Sequence, residues 1–222
     1  MHDTARHFLF WNRPMLTLVI GDKHLSSWSL RPWILLRHLD LPFREVALQL
    51  DTPQFASAIR QYSASGRVPA LIDGDTHVWD SLAIMEYLHE KSGARAWPAD
   101  PAQRAHARSI SAEMHSDFSA LREHWPMQAA SILPNVALPP AGLKDVARID
   151  ELWQDCRRRY AARGPWLFGD YSAADAMYAP VVLRFHTYGA TLSDAATAYV
   201  TQVLGDAALG EWIAGARDEL SR

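Results

Sequence analysis

The first apolar run of the chain, Leu16–Ile20, reads Leu-Thr-Leu-Val-Ile and has the length of a buried strand. A polar stretch, 21–27, separates it from Leu30-Arg31-Pro32-Trp33-Ile34-Leu35-Leu36-Arg37-His38-Leu39, which is long enough for a helix. Pro32 has no N–H to donate, so it belongs in the first helical turn. The helix therefore starts near Ser27 to Ser29, where a serine makes a good N-cap. Over 43–50, Val46, Leu48 and Leu50 alternate with other residues and predict a second strand. A helix is expected over 52–62 and a loop over 63–67. Two short strands follow, Val68 to Ile72 and His77 to Trp79, joined by the turn Asp73-Gly74-Asp75-Thr76. Asp80 reads as the N-cap of a helix over 81–91, with Ala83, Ile84, Tyr87 and Leu88 on its apolar face.

Beyond this point the period changes. Gly93 to Pro101 is rich in proline and glycine and reads as a linker, and Asp100-Pro101 is a strong helix start. Helices are expected over 101–132, 143–163, 173–187, 194–204 and 207–220, with a loop over 134–140 and no further strand. The expected division is an N-terminal extension (1–14), an α/β domain (15–93), a linker (94–100) and an all-α domain (101–222).

Composition supports a folded chain of this size. Of 222 residues, 49% are hydrophobic and 21% charged, with a formal net charge of -3, so a sizeable core is available and no basic stripe points to nucleic acid. No stretch approaches the roughly 20 apolar residues of a membrane span. Residues 1–14 lack the apolar run of a secretory signal, which makes a cytoplasmic protein the default expectation. The single cysteine, Cys156, excludes an internal disulfide and a CxxC redox pair, and it reads as a structural thiol on a helix.

Ten histidines invite a metal hypothesis. His106, His115 and His124 are spaced nine residues apart on one expected helix. Nine residues turn a helix by about 900°, so His115 faces away from the other two, which are about 27 Å apart. They cannot share a zinc ion, and no metal site is expected. Neither GxGxxG, nor a phosphate-binding GxxxxGK[ST], nor GxSxG occurs.

What remains is the loop-to-helix junction 24–33, the Val68-Pro69 dipeptide and the Asp80-Ser81 pair. Taken in order, Ser26-Ser27-Trp28-Ser29-Leu30-Arg31-Pro32-Trp33, Arg67-Val68-Pro69-Ala70-Leu71 and Trp79-Asp80-Ser81-Leu82 through Leu88 resemble the motifs of the glutathione S-transferase family. Trp166-Leu167-Phe168-Gly169-Asp170-Tyr171-Ser172-Ala173-Ala174-Asp175 adds a capping-box pattern in the helical part, with a folding role. Within the family the chain looks closest to the serine-type zeta class, the maleylacetoacetate isomerase group. Trp28 stands where that class has cysteine, and Arg31 matches an arginine of the class motif.

The resemblance implies a thioredoxin-like domain followed by a helical domain, with glutathione as co-substrate, no metal, a small hydrophobic electrophile as second substrate, and a homodimer in the cytoplasm. It implies that Pro69 is a cis-proline and that Val68 pairs with the glutathione backbone. Asp80 takes the γ-glutamyl ammonium or merely caps its helix, and Ser81 holds the γ-glutamyl carboxylate. Ser26 donates to the sulfur, with Ser27 next and Ser29 as cap. Trp28 and Arg184 are candidates for the second-substrate pocket, Arg184 alternatively for a surface salt bridge.

The energetics are adequate. A thiol of pKa about 8.5 costs about 2 kcal/mol to ionise at pH 7. A hydrogen bond to a charged group supplies roughly 1.5–3 kcal/mol, and a helix N-terminus roughly 0.3–1. The implied activity is a detoxifying glutathione transferase. The alternatives are a glutathione-dependent cis–trans isomerase of the maleylacetoacetate type and a non-catalytic binding module of the same fold.

Overall fold

A computed structural model describes residues 15–222, so the expected extension over 1–14 lies outside the described residues. Strands β1 (Leu16–Ile20), β2 (Phe43–Ala47), β3 (Ala70–Asp73) and β4 (Thr76–Trp79) form one sheet in the order β2-β1-β3-β4. β1 runs parallel to β2 and antiparallel to β3, and β4 closes a hairpin on β3. Successive side chains of a strand point to opposite faces. Leu16, Leu18 and Ile20 therefore enter the main core with Leu71, while Val19 and Ala70 form a small cluster with Ile59 on the other face. Ile59 belongs to α2 (Phe55–Ile59), which is shorter than the helix expected over 52–62.

Helices α1 (Ser27–His38) and α3 (Ser81–Lys91) complete this thioredoxin-like half. α1 is buried nearly all round, from Ser27 to Leu36 with only Trp28 half-exposed, as expected of a helix covered on both sides. The sheet and α3 lie on one side of it, and α7 and α9 on the other.

The remainder is helical: α4 (Pro101–Ser116), α5 (Ser119–His124), α6 (Pro140–Tyr160), α7 (Ala173–Tyr188), α8 (Asp194–Leu204) and α9 (Ala207–Leu220). The helix expected over 101–132 is in fact two. Phe118 adopts a left-handed conformation (φ 62°), buries its ring, and turns the chain before α5. Residues 125–139 are not helical, and α6 starts at Pro140, earlier than expected, with proline in its first turn. No helix among the described residues is long and apolar enough to cross a membrane. Cys156 is fully buried and its thiol is pushed up to about 12 by burial, which makes it an inert core group.

α7 is the axis of the helical half, with only His186 outside the core. Its N-terminus carries the capping box read from the sequence: the Asp175 carboxylate accepts from Ser172 N (2.9 Å), Leu167 N (3.0 Å) and Tyr199 Oη (3.1 Å). Burial pushes this carboxyl up to about 6, against the pull of its donors. Since its folded pKa lies above that of an unfolded carboxyl, its contribution to stability is greatest below about pH 4 and is lost as pH rises through about 6. Asp175→Ala is expected to cost about 3 kcal/mol, because it orphans several buried donors. Urea unfolding at several pH values checks both points: the variant loses stability throughout, and its slope between pH 5 and 7 is less negative than the parent's.

Candidate active site

Where the head of α1, the segment before β3 and the head of α3 meet, a cavity of about 320 Å³ opens. Its floor is the Val68–Pro69 pair, whose peptide bond is cis. Val68 precedes the first registered β1–β3 pair, Val19↔Ala70, and makes no turn or loop bond through its backbone among the described residues. Asp80, Ser81, Trp28, His115, Ser65, Arg67 and Trp79 line the rest of it. A larger cavity, about 830 Å³, lies between α1, β2 and α9, and none of the residues expected from the sequence lines it.

At the head of α3, Asp80 Oδ1 accepts from Leu82 N (2.8 Å), an N-cap that leaves Oδ2 turned toward His115 Nε2 (3.4 Å). Ser81 is 1% exposed, and its Oγ is buried without a hydrogen-bond partner among the described residues. A buried hydroxyl left unpaired costs about 1–3 kcal/mol, so an acceptor or donor arriving from the cavity side is stabilised there. The peptide dipoles and free N–H groups of an eleven-residue helix point to the same place and favour an anion.

The serines at the head of α1 divide their work. Ser26 is the N-cap by position, without a side-chain cap bond. Its hydroxyl donates to Ser29 Oγ (2.7 Å), which also accepts from Gly21 N (3.1 Å). Ser29 is therefore a tie between α1 and the end of β1, not the cap expected from the sequence. Ser27 Oγ accepts from Arg184 Nη2 (3.4 Å) and donates to no group among the described residues.

Arg184 corrects the alternative of a surface salt bridge. It is 4% exposed, with Nε on Trp125 O (2.9 Å) and Nη1 on Pro180 O (3.3 Å). Burial, and then Arg122, push it down to about 9. Arg31 is wholly buried, with Nε on Met177 O (3.2 Å) and both Nη atoms unpartnered. Its guanidinium lies 4.3 Å from the Trp28 ring centroid, and that of Arg122 lies 4.8 Å from the same ring. Arg122 is held by the carbonyls of Asp117, Met114 and His115, with Nη1 unpartnered. Among the described residues none of the three arginines makes an ion pair. Burial, then Arg122 and Arg184, hold Arg31 well below the usual guanidinium range.

His115 and Arg122 were not among the expected site residues. The nine-residue spacing presupposes one unbroken helix, whereas the chain breaks between α4 and α5. His124 lies on α5, and His115 packs edge-on against Trp28 (centroids 5.3 Å apart) instead of facing solvent. Nothing local in the sequence marks Arg122. No group of three His, Cys, Asp or Glu side chains among the described residues could hold a metal ion.

His115 sits between opposing influences. Burial depresses its pKa below the ordinary imidazole value, Asp80 works upward, and Arg31 and Arg122 work downward. In an NMR pH titration, Arg122→Gln is therefore expected to move the His115 midpoint up and Asp80→Asn to move it down. Midpoints that fail to move in these opposite senses contradict the assigned surroundings.

Residues 25–91 match the family model of the glutathione S-transferase N-terminal domain. A probable maleylacetoacetate isomerase from Caenorhabditis elegans is 31% identical over 96 residues, 43% of this chain and 44% of the relative. A dichloromethane dehalogenase from Methylorubrum extorquens is 39% identical over 62 residues, 27% of this chain and 22% of the relative. The maleylacetoacetate isomerase of Mus musculus is 37% identical over 113 residues, 50% and 49% respectively. The chain thus spans about half the length, or less, of these curated relatives. Among solved structures, a glutathione transferase homolog from Burkholderia GL BGR1 with bound glutathione superposes with a TM-score of 0.70 at 24% identity, over 92% of this chain and 100% of that one. The Tau class enzyme of mango gives 0.66 at 18%, over 90% and 92%. Residues 25–91 thus match a glutathione S-transferase N-terminal domain, and the chain that carries them has the glutathione transferase fold.

Proposed function

We infer that the protein is a glutathione transferase whose glutathione occupies the 320 Å³ cavity. The observation that carries this reading is Ser81, a buried hydroxyl with no partner at the head of α3. It accounts for a γ-glutamyl carboxylate at the helix N-terminus, with the γ-glutamyl ammonium beside Asp80. The free backbone groups of Val68 pair with the peptide as one more strand, above the Pro69 floor. The sulfur then lies toward the first turn of α1. Either Ser26 or Ser27 can give it a hydroxyl by position. Ser27 is favoured because its proton is unspent, whereas that of Ser26 goes to Ser29.

In the reaction the glutathione S–H loses its proton to solvent. The thiolate, held by one serine O–H, attacks the electrophilic carbon of a hydrophobic substrate beside Trp28. A sulfur–carbon bond forms and the leaving group departs with its electron pair. The proposed role includes detoxification in the cytoplasm as a homodimer.

A second reading is a glutathione-dependent cis–trans isomerase of the maleylacetoacetate type. There the thiolate adds to a conjugated double bond, the resulting single bond rotates, and the sulfur leaves. The three arginines without carboxylate partners favour it, because they would complement an acidic substrate such as a maleyl-type diacid. A non-catalytic module of the same fold is the third reading. An unpartnered Ser81 beside a free Ser27 proton argues against it.

Glutathione titration of the parent by calorimetry is expected to show one site per chain. Ser81→Ala is expected to weaken binding about 10–100-fold, the loss of one hydrogen bond to a charged group. Ser27→Ala is expected to cut conjugation of a chlorodinitrobenzene-type electrophile more than Ser26→Ala does. Turnover of a maleyl-type diacid with no conjugation would favour the isomerase, and failure to bind glutathione would leave only the non-catalytic module. Sedimentation of the full chain tests the homodimer.

A further inference from the structure

The proton of Ser27 is free because a guanidinium supplies the other hydrogen bond of that oxygen. Arg184 Nη2 lies 3.4 Å from Ser27 Oγ, while Nε and Nη1 are anchored on Trp125 O and Pro180 O. The three bonds fix both the plane of the guanidinium and the side of the hydroxyl it occupies. A hydroxyl that accepts from a cation becomes a stronger donor, because hydrogen bonds in series polarise one another.

The charge behind that contact is unusually bare. Arg31 and Arg184 are buried and Arg122 half-buried, their closest anchors are neutral carbonyls, and three of their Nη atoms have no partner. Buried cations are ordinarily paired, because an unpaired one costs several kcal/mol. Guanidiniums do not escape this by losing a proton. The Trp28 ring, flanked by Arg31 and Arg122, offsets a part of the cost. Asp80 offsets some of it at Arg31, and Asp117 and Asp145 at Arg122, and an anion arriving nearby would offset more.

We propose that Arg184 is a positioning residue for the glutathione thiolate. It fixes the Ser27 oxygen so that the hydroxyl proton faces the sulfur, and together with Arg31 and Arg122 it supplies the buried positive charge that keeps the sulfur ionised. This rests on the reading that the cavity takes glutathione. The arginines touch neither the electrophile nor the reacting carbon in this role, and the sulfur's proton leaves to solvent as before. The groups that set the field come from every element around the spot: Arg31 from α1, Asp80 at the head of α3, His115 from α4, Arg122 from α5, and Tyr178, Arg184 and Tyr188 from α7. Asp117 and Asp145 act on Arg122. Asp80 is the one carboxylate that acts on Arg31, and its Oδ2 is turned to His115.

The test is the pKa of enzyme-bound glutathione, read from thiolate absorbance in the ultraviolet across pH, beside the affinity for S-methylglutathione, which has no proton to lose. In Arg184→Met and in Arg122→Gln the sulfur pKa is expected to rise, with about a tenfold loss of thiolate per unit below the midpoint, while S-methylglutathione binds as in the parent. Arg184→Lys keeps the charge but not the three-bond geometry, and is expected to fall between parent and Arg184→Met. Arg122→Gln decides the matter where Arg184→Met does not fold, since Arg122 is only half-buried and does not touch Ser27. A bound sulfur pKa that stays at the parent value in Arg122→Gln overturns the proposal, as does equal weakening of both ligands. Failure of the parent to bind S-methylglutathione instead overturns the glutathione reading itself.

Discussion

Two buried guanidiniums reach in opposite directions across the contact between α1 and α7. Arg31, on α1, bonds to the Met177 carbonyl of α7, and Arg184, on α7, bonds to the Ser27 hydroxyl of α1. The thioredoxin-like half and the helical half are joined most extensively along this line. Four alanines of α7, Ala173, Ala174, Ala176 and Ala179, are all buried. A shift of one helix along the other would break both contacts and leave charged groups unpaired in the core, a penalty of several kcal/mol. Apolar packing alone tolerates such shifts more readily. The crossed arginines therefore set the register between the halves, and the cavity, whose walls come from both, inherits that register.

The cost of such an arrangement is visible in the same residues. Arg122 and Arg184 depress Arg31, and Arg122 depresses Arg184, beyond what burial alone does. A fold selected for stability alone would place leucine or methionine at these positions, since replacing buried charge by well-packed apolar groups is often neutral or stabilising. Their presence beside a cavity wall is the pattern of a site that gives up stability in exchange for charge at a chosen point.

The sheet, α1, α3 and the helical remainder were all legible from periodicity and capping. The strongest of these signals were local: Pro32 in a first turn, Asp80 before an apolar face, and Ser172 with Asp175. The break at Phe118 was not legible. No glycine or proline marks it, and the left-handed residue is a phenylalanine held by burial of its ring. α5 is then pinned by Asp145 of α6, whose carboxylate accepts from Leu121 N (2.9 Å), a contact between residues far apart in sequence. The expectation of one unbroken helix concealed one of the three cations, because Arg122 follows the turn at Phe118 and lies against Trp28. The Ser26, Ser27, Trp28, Val68, Asp80 and Ser81 positions came from ordered motifs; Trp28, Val68, Asp80 and Ser81 line the cavity, and Ser26 and Ser27 are not in its lining. Which serine has a proton to give was beyond the sequence, because it depends on Arg184, 157 residues away.

The two ends of the cavity differ in charge. At one end Asp80 is exposed and carboxylate-bearing, next to a helix N-terminus and an unpartnered Ser81 hydroxyl. At the other end Trp28 stands before two guanidiniums, and a third lies behind Ser27. A ligand with an ammonium and a carboxylate at one terminus and an ionisable thiol in its middle fits this polarity in one orientation. Reversed, the ammonium would face buried cations, and like charges held near each other in a low-dielectric wall repel by several kcal/mol even at an effective dielectric of about 20. Trp28 makes the arrangement workable. Its ring lies against two cations and at the same time lines the cavity. The residue that departs from the serine-type motif is thus what allows charge and apolar surface to share one wall.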